Sequence, residues 1–242
     1  MTYIKYTCLL LLCLFSKLSI SGIDVKTYVP KNAYLYLPVL KKELDIYMPN
    51  FKYKPYFAGL IEQESCITLV HSRCWKPTSE LKTSREQGVG LGQITRAWNS
   101  SGSLRFDSLS DMKRKYRLDL KEANWDTIKN RPDLQIRIIV FMVRDLLNYY
   151  KHIPSDLERL AFADSAYNGG TKLLDKERTL CGLAKRCDPN LWFGHTEKQN
   201  SRGTRILYGS NTAWDINRHH VRTIFFKRAL LENPLGKYNK YL

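Results

Sequence analysis

The chain has 242 residues, 43% of them hydrophobic, which is enough to bury a sizeable core in one large domain or in a domain with appendages. It has no internal repeat and no low-complexity tract, which excludes a repeat array or a compositionally biased chain. Its formal net charge of +16 indicates an anionic partner, so nucleic acid, an anionic membrane surface and an anionic cell-wall polymer are the classes to separate.

Residues 1–21 have the pattern of a secretory signal peptide. Lys5 supplies positive charge, residues 8–15 form a short apolar run, and residues 19–21 offer small side chains for cleavage. The run is shorter than the roughly 20 residues that span a bilayer, although Lys17 after it leaves an uncleaved anchor as the alternative. Without this leader the formal charge falls from +16 to +14, because it contains two lysines and no acid. We therefore predict an exported protein, periplasmic or associated with the cell wall, which favours a wall partner over nucleic acid.

The cysteines outside the leader are Cys66, Cys74, Cys181 and Cys187. An even number in an exported chain predicts two disulfides, and four cysteines allow three pairings. We favour the local pairing, Cys66 with Cys74 and Cys181 with Cys187, which closes two short loops. A zinc site is the weaker alternative, because there is no Cys-x-x-Cys pair and His71 and His195 lie at no standard ligand spacing. No metal is predicted.

The first half of the chain predicts short helices. Residues 22–36 form an N-terminal extension, and Leu37–Met48 has helical periodicity with Pro38 in its first turn. Pro55 suits the first position of a second helix, which ends near Cys66. A glycine-rich turn at 88–92 opens a short helix through Trp98, and Asp107–Tyr116 is a basic surface helix.

The second half contains the strongest helical signal, Arg131–Tyr150, which is apolar nearly all round and predicts a central buried helix. Ser155 and Glu158 form a capping box, in which the glutamate reaches back to the cap. The helix that follows runs to Tyr167 or Asn168, and Gly169 suits the left-handed C-terminal position.

The last part of the chain predicts a loop and one more helix. Residues 194–213 are rich in Gly, Ser, Asn and Thr and predict a long loop or flexible insert. Ile216–Glu232 is a final basic helix, and 233–242 is a C-terminal tail. No strand is predicted, so the fold class is mostly α.

Two glutamates, Glu62 and Glu64, lie on the second predicted helix. Side chains two positions apart on a helix point in different directions, so only one of them can face a cleft. A glutamate in a partly apolar cleft can stay protonated near neutral pH and donate a proton to a leaving oxygen. Taken alone, the two residues are better explained as solvated surface glutamates.

Three ordered motifs change this weighting: Glu64-Ser65, then Gly90-Leu91-Gly92-Gln93, then Ala166-Tyr167-Asn168-Gly169-Gly170. In this order they resemble the active-site motifs of the soluble lytic transglycosylases, lysozyme-like enzymes that cut peptidoglycan with one catalytic glutamate. Gly92 stands where the family has methionine, and the third motif matches fully. The resemblance covers roughly residues 37–170 and implies a mostly α, lysozyme-like domain with a catalytic cleft.

The resemblance assigns a role to each matching residue. Glu64 would be the acid and base, and Ser65 would position the glutamate or the substrate. Gln93 would donate to sugar or peptide groups in the cleft. Tyr167 would hydrogen-bond near the glutamate and Asn168 would hold substrate or backbone, although a core aromatic and a helix C-cap are the plain structural explanations for these two.

The reaction that the resemblance implies needs one carboxylate. Glu64 would protonate the glycosidic oxygen and then take the proton of the muramic acid 6-hydroxyl, which attacks the anomeric carbon and forms a 1,6-anhydro ring. A hydrolase normally needs a second carboxylate. The candidates Glu80, Glu86, Asp107 and Asp164 lie in no motif, and we expect each on a solvated face. No metal or organic cofactor is expected.

The chain departs from the family in two longer segments. We interpret residues 66–87 as a disulfide-pinned insertion near the cleft and 171–215 as a second insertion, within a domain of residues 37–232. These departures suggest that the chain binds its substrate differently from typical members, or that it works in a secretion, conjugation or phage machinery. Trp75 lies in the first insertion and is the tryptophan that we favour as a sugar contact, although core packing is the default for all five tryptophans.

Four functional hypotheses remain after the sequence is considered. The first is a lytic transglycosylase whose partner is peptidoglycan glycan strands, with basic helices at 111–117 and 218–228 that meet an anionic wall or membrane surface. The second keeps the fold but uses water, as a muramidase. The third is a catalytically silent wall-binding module, which the intact motifs argue against. The fourth, a nucleic-acid binder, lacks any recognisable nucleic-acid-binding signature, and export opposes it.

Overall fold

The computed structural model describes residues 23–242, so the predicted leader lies outside the described residues. Within that range the chain is mostly helical, as predicted, and it divides into two compact units. The larger unit contains residues 25–145 and 223–242, and the smaller unit contains residues 146–222 together with Ile23 and Asp24. Over the same residues, no helix combines the length and the apolar character that a membrane crossing requires.

The larger unit begins with two helices, α1 (Ala33–Tyr47) and α2 (Pro55–Ser65). Pro55 occupies the first turn of α2, as predicted from its missing backbone donor. α1 starts earlier than the predicted Leu37, because Ala33 is buried and its amide donates to the carbonyl of Pro30 at 2.9 Å. Pro38 therefore lies inside α1, where it removes one backbone hydrogen bond of the helix.

A four-stranded antiparallel sheet follows α2, although the sequence predicted no strand. Its strands, in chain order and in sheet order, are β1 (Glu80–Lys82), β2 (Glu86–Val89), β3 (Ile94–Trp98) and β4 (Leu104–Asp107). β3 replaces the predicted short helix through Trp98, and Val89 pairs with Ile94 across the turn that joins β2 to β3. The β-branched Ile94 and Thr95 and the aromatic Trp98 favour extended backbone. Strands this short carry too little alternation for a sequence pattern to detect.

The core of the larger unit forms around helices α3 (Ser108–Lys115) and α4 (Pro132–Tyr149). The Asp107 side chain caps α3 by accepting from the Ser110 amide at 2.9 Å, which confirms the helix predicted there. The buried side chains of this core are Val89, Ile94, Leu109, Leu120, Ala123, Ile128, Leu134, Ile138 and Phe141. Helix α4 is therefore the buried helix that its apolar sequence predicted.

Two arginines, Arg137 and Arg144, interrupt the apolar pattern of α4, and the first has a partner on α1. Arg137 donates from Nε and Nη2 to the two carboxylate oxygens of Glu43, each at 2.8 Å, and Glu43 is buried. This bidentate geometry is the stronger form of an arginine–carboxylate salt bridge. It explains how a charged residue is accommodated in a helix that is otherwise built for a core.

The smaller unit contains helices α5 (Asp156–Gly169) and α6 (Thr171–Leu183) and a hairpin of β5 (Ile206–Tyr208) and β6 (Asn211–Thr212). Ser155 caps α5 as predicted, but Glu158 does not reach back to it and instead accepts from the Trp192 amide at 2.5 Å. Gly170, with φ of 79°, takes the left-handed position predicted for Gly169. The segment predicted as a long loop at 194–213 includes this hairpin.

Both predicted disulfides are present. Cys66 pairs with Cys74 in the larger unit, and Cys181 pairs with Cys187 in the smaller unit. The first disulfide closes the loop that follows α2, and the second joins the end of α6 to the chain after it. The local pairing favoured from the sequence is therefore correct.

The final helix differs from its predicted form. α7 spans Ala213–Thr223 and continues as a π-helical segment, Ile224–Arg228, so the regular helix ends well before the predicted Glu232. The π-helical segment packs against α2 at Gly59 in the larger unit. A β-carbon on Gly59 would lie 2.8 Å from the β-carbon of Ala229, so only glycine permits this close approach.

We expect Gly59→Ala to lower the free energy of unfolding by about 1–3 kcal/mol, because the added methyl group must displace packed backbone and side chain. Gly182→Ala on α6 is the matched control, since a β-carbon there has only ordinary contact with Pro189. It should be neutral or stabilising by up to about 1 kcal/mol. Urea unfolding of both variants measures the difference, and equal effects would contradict the close packing.

Candidate active site

The first glutamate of α2, Glu62, is completely buried, so its prediction as a solvated residue is wrong. Lys237 Nζ lies 3.0 Å from its Oε1 and 2.8 Å from its Oε2, and Arg228 Nη1 lies 2.8 Å from Oε1. The hydroxyl of Tyr238 donates to Oε2. We call these four residues the Glu62 cluster. Because burial and then the charge of Glu62 raise the pKa of the Tyr238 hydroxyl well above its usual range, this group remains a donor.

The second glutamate, Glu64, lies in the last turn of α2 and is partly exposed. Because it is two positions from Glu62, its side chain points in a different direction from the helix. Arg228 also donates from Nε to Gln63 Oε1 at 2.7 Å, so it holds both residues that precede Glu64. The helix turn that carries Glu64 is thereby tied to the π-helical segment.

Ser65 is buried and anchors the end of α2 to the first disulfide loop. Its hydroxyl donates to the carbonyl of Ile61 at 2.6 Å and accepts from the amide of Trp75 at 3.1 Å. These two hydrogen bonds fix the position of Ser65, the residue that follows Glu64. Trp75 itself is fully buried, so the expectation that it lines an open sugar cleft is wrong and it packs in the core instead.

Gln93 lies in the turn between β2 and β3, at a left-handed φ of 46°. Its side chain donates from Nε2 to the carbonyl of Gly90 at 3.1 Å and is partly exposed. The side chain folds over Gly88, where an added β-carbon would lie 2.6 Å from Gln93 Oε1. Gly88, which precedes the motif, therefore makes room for the Gln93 side chain, whose orientation is fixed by its bond to Gly90.

Gln135 on α4 fixes the same turn, and the sequence analysis did not identify it. It is fully buried, and its Oε1 accepts from the Leu91 amide at 2.8 Å. Its Nε2 donates to the carbonyls of Pro77 at 3.0 Å and Ile128 at 2.8 Å. The available signal was an amide side chain near the start of an apolar helix, since a buried polar group must find partners.

Tyr167 and Asn168 lie in the last turn of α5, in the smaller unit, whereas Glu64, Ser65 and Gln93 belong to the larger unit. Tyr167 is partly exposed and Asn168 is exposed. Asn168 Oδ1 accepts from Asn217 Nδ2 at 3.0 Å, and Asn217 also donates to the carbonyl of Ser165 at 2.9 Å. The hydrogen bond from Asn217 therefore fixes the orientation of the Asn168 side chain at the end of α5.

The four candidates for a second carboxylate have different surroundings. Glu80 is exposed and accepts from Gln87, and Glu86 is partly buried. Asp107 caps α3 and also accepts from Trp125 Nε1 at 2.9 Å. Asp164 is fully buried with its Oδ2 2.9 Å from His220 Nδ1, so its expected place on a solvated face is wrong. The partners of Asp107 and Asp164 give both of them structural roles.

Two tryptophans of the larger unit flank one arginine. The guanidinium of Arg96 on β3 lies 5.3 Å from the ring of Trp98 and 4.5 Å from the ring of Trp125. Both rings are partly exposed. This arrangement is a pair of cation–π contacts that joins β3 to the segment carrying Trp125.

Neither metal-ligand geometry nor the comparisons with protein families and curated proteins add an assignment to this site. Among residues 23–242 there is no group of three or more His, Cys, Asp or Glu side chains placed to hold a metal ion. No protein-family model matches the chain, and a search of curated proteins finds no match either.

Proposed function

We propose that this chain is a peptidoglycan lytic transglycosylase that cleaves the β-1,4 bond between N-acetylmuramic acid and N-acetylglucosamine. The observation that carries the proposal is the contrast between the two glutamates of α2. Glu62 is fully buried against Arg228 and Lys237, whereas Glu64 is partly exposed on the same helix. Glu64 is therefore the α2 carboxyl group that a substrate can reach, and it directly precedes Ser65, as the catalytic glutamate does in the family that the motifs resemble.

In the proposed reaction Glu64 acts first as an acid and then as a base. Its proton goes to the glycosidic oxygen as the bond to the anomeric carbon of the muramic acid breaks. The 6-hydroxyl oxygen of the same sugar then bonds to that carbon and its proton returns to Glu64, with the N-acetyl group of the sugar assisting. The product is a 1,6-anhydro end, and the carboxyl group is regenerated without water, a metal or an organic cofactor.

The remaining motif residues have supporting roles in this proposal. Ser65 positions Glu64 through the end of α2, because its hydroxyl is already bonded to Ile61 and Trp75. Gln93 donates to sugar or peptide groups from its ordered turn. For Tyr167 and Asn168, in the last turn of α5, the proposal keeps the substrate-binding roles that the resemblance implies.

The proposed setting is the cell wall. The formal charge of +14 outside the leader suits glycan strands in an anionic wall or beside an anionic membrane surface. An exported enzyme with two disulfides fits the periplasm or the wall, and a secretion, conjugation or phage machinery is its proposed partner. The second insertion, residues 171–215, contains helix α6 and the disulfide between Cys181 and Cys187. It gives such a partner a surface that a domain without the insertion would lack.

The products of digestion test the proposal. Purified peptidoglycan is incubated with the chain that follows the leader, and the released fragments are analysed by mass spectrometry with and without borohydride reduction. We expect fragments that end in 1,6-anhydromuramic acid and do not take up hydrogen on reduction. Reducible ends would replace the transglycosylase by a muramidase, and the absence of fragments would favour the wall-binding module.

A further inference from the structure

A groove of ≈ 470 Å³ lies within the smaller unit, and none of the motif residues named above lines it. Its walls include Tyr149, His152, Asp175, Arg178, Gly182 and Pro189. Small-molecule sites commonly have volumes of about 300–1,000 Å³, so the groove has room for a ligand of one or two sugar rings. No part of the proposed reaction uses these residues.

One wall of the groove is held by a carboxylate and two tyrosines. Asp175 Oδ2 accepts from the Tyr149 hydroxyl at 2.7 Å, and Oδ1 accepts from the Tyr150 hydroxyl at 3.2 Å. Tyr150 is fully buried, while Tyr149 is 54% exposed, and their rings meet edge to face at 4.9 Å. Each carboxylate oxygen has a further lone pair, so Asp175 can still accept from a ligand.

The other wall is held by an arginine and a disulfide. Arg178 donates from Nε to the carbonyl of Pro189 at 3.0 Å and from Nη2 to Asn190 Oδ1 at 3.1 Å. The disulfide between Cys181 and Cys187 ties together the segment that carries Gly182 and Pro189. Because these side chains are already ordered, a ligand would lose little binding energy to their immobilisation.

The charges of the groove favour a neutral ligand. A small anion would meet Asp175, and a small cation would meet Arg178. Partial burial and then the positive charge of Arg178 lower the pKa of His152, so its imidazole is mainly uncharged at neutral pH. Hydroxyl groups, by contrast, can donate to the carboxylate and accept from the guanidinium, while the apolar face of a sugar ring packs on the exposed tyrosine.

We propose that this groove is a second, non-catalytic saccharide site, in which Asp175 and Arg178 bond sugar hydroxyls and Tyr149 packs against a sugar ring. The proposal stands on the groove itself and does not require that Glu64 cleave a glycan. In a wall-degrading enzyme such a site would keep the chain on a glycan strand between cleavage events.

The test uses the chain with Glu64→Gln, titrated with a tetramer of N-acetylglucosamine by calorimetry. We expect two saccharide sites per chain, of which one weakens at least about tenfold in each groove variant. Tyr149→Ala removes the ring that packs on the sugar, and Asp175→Asn removes a charged hydrogen-bond acceptor. Tyr149→Ala guards against a folding effect of Asp175→Asn, because Asp175 also bonds the buried Tyr150. Lys176→Ala, an exposed neighbour, is the control and should bind normally.

The outcomes separate this proposal from the catalytic one. A single saccharide site that both groove variants remove would support the groove and count against the proposed cleft. Saccharide binding that neither variant changes would overturn the groove proposal, as would no saccharide binding at all. Displacement of the bound sugar by phosphate or by free lysine would also overturn it, because the groove would then select charge.

Discussion

Glu64→Gln is expected to lower the rate of peptidoglycan cleavage by about 10²–10⁴-fold, the range that general acid–base catalysis contributes. The amide keeps the size of the side chain but cannot donate a proton to the glycosidic oxygen or take one from the 6-hydroxyl. Because Glu64 is partly exposed, the variant should keep the stability of the parent chain. Loss of turbidity of purified sacculi measures the rate, and thermal unfolding measures the stability.

The control for this experiment is Glu80→Gln, which removes an exposed carboxylate whose partner is the nearby Gln87. Its rate should stay within about twofold of the parent, since surface changes away from a site have small effects. Full activity of Glu64→Gln would remove Glu64 as the acid. The search would then turn to Glu86, which also lies in the larger unit and is partly buried.

The second large effect is expected from the other glutamate of α2. Glu62→Gln should lower the free energy of unfolding by about 3–5 kcal/mol, because it leaves Lys237 and Arg228 buried without a compensating charge. Chemical denaturation measures the effect. The two neighbouring glutamates thus predict opposite phenotypes: the Glu64 variant loses activity and keeps stability, and the Glu62 variant loses stability.

A double-mutant cycle checks the cause of this destabilisation. Lys237→Met alone should also destabilise the chain, because it removes contacts with Glu62 and with the carbonyls of Val25 and Tyr28. Combined with Glu62→Gln it should cost less than the two single changes added together, since residues in one network do not act independently. Additive effects, or a Glu62→Gln variant as stable as Glu80→Gln, would contradict the charge pairing.

Local sequence signals predicted much of the helical framework. Pro55 identified the start of α2, Ser155 identified the cap of α5, and the apolar run of α4 identified the buried helix. Each signal depends on residues within one or two helical turns. The local disulfides could be predicted for the same reason, because their cysteines lie only 8 and 6 residues apart.

The features that were missed depend on contacts distant in sequence. Glu62 meets Lys237 across 175 residues, and Leu91 meets Gln135 across 44. A glutamate is usually found at the surface, so only the partners of Glu62 explain its burial. The sheet was missed because its strands are short and gain stability from pairing with one another rather than from a local pattern.

The candidate site was predicted only in part. The motifs identified Glu64, Ser65, Gln93, Tyr167 and Asn168, but their order along the chain could not reveal which side chains hold them. Ser65 bonds the Trp75 amide and Gln135 bonds the Leu91 amide, and both contacts join segments that the sequence analysis treated separately. Orientation at the site therefore depends on the insertion and on α4 as much as on the motifs.

The larger unit is built from two separate stretches of the chain, residues 25–145 and 223–242, and this limits the order in which the chain can fold during synthesis. Residues 146–222 are continuous, so the smaller unit has nearly all of its sequence before residues 237 and 238 exist. In α2, by contrast, Glu62 lacks two of its three partners until Lys237 and Tyr238 have been made and have reached it. The unit that carries Glu64 therefore cannot complete its folding before residues 237 and 238 have been made.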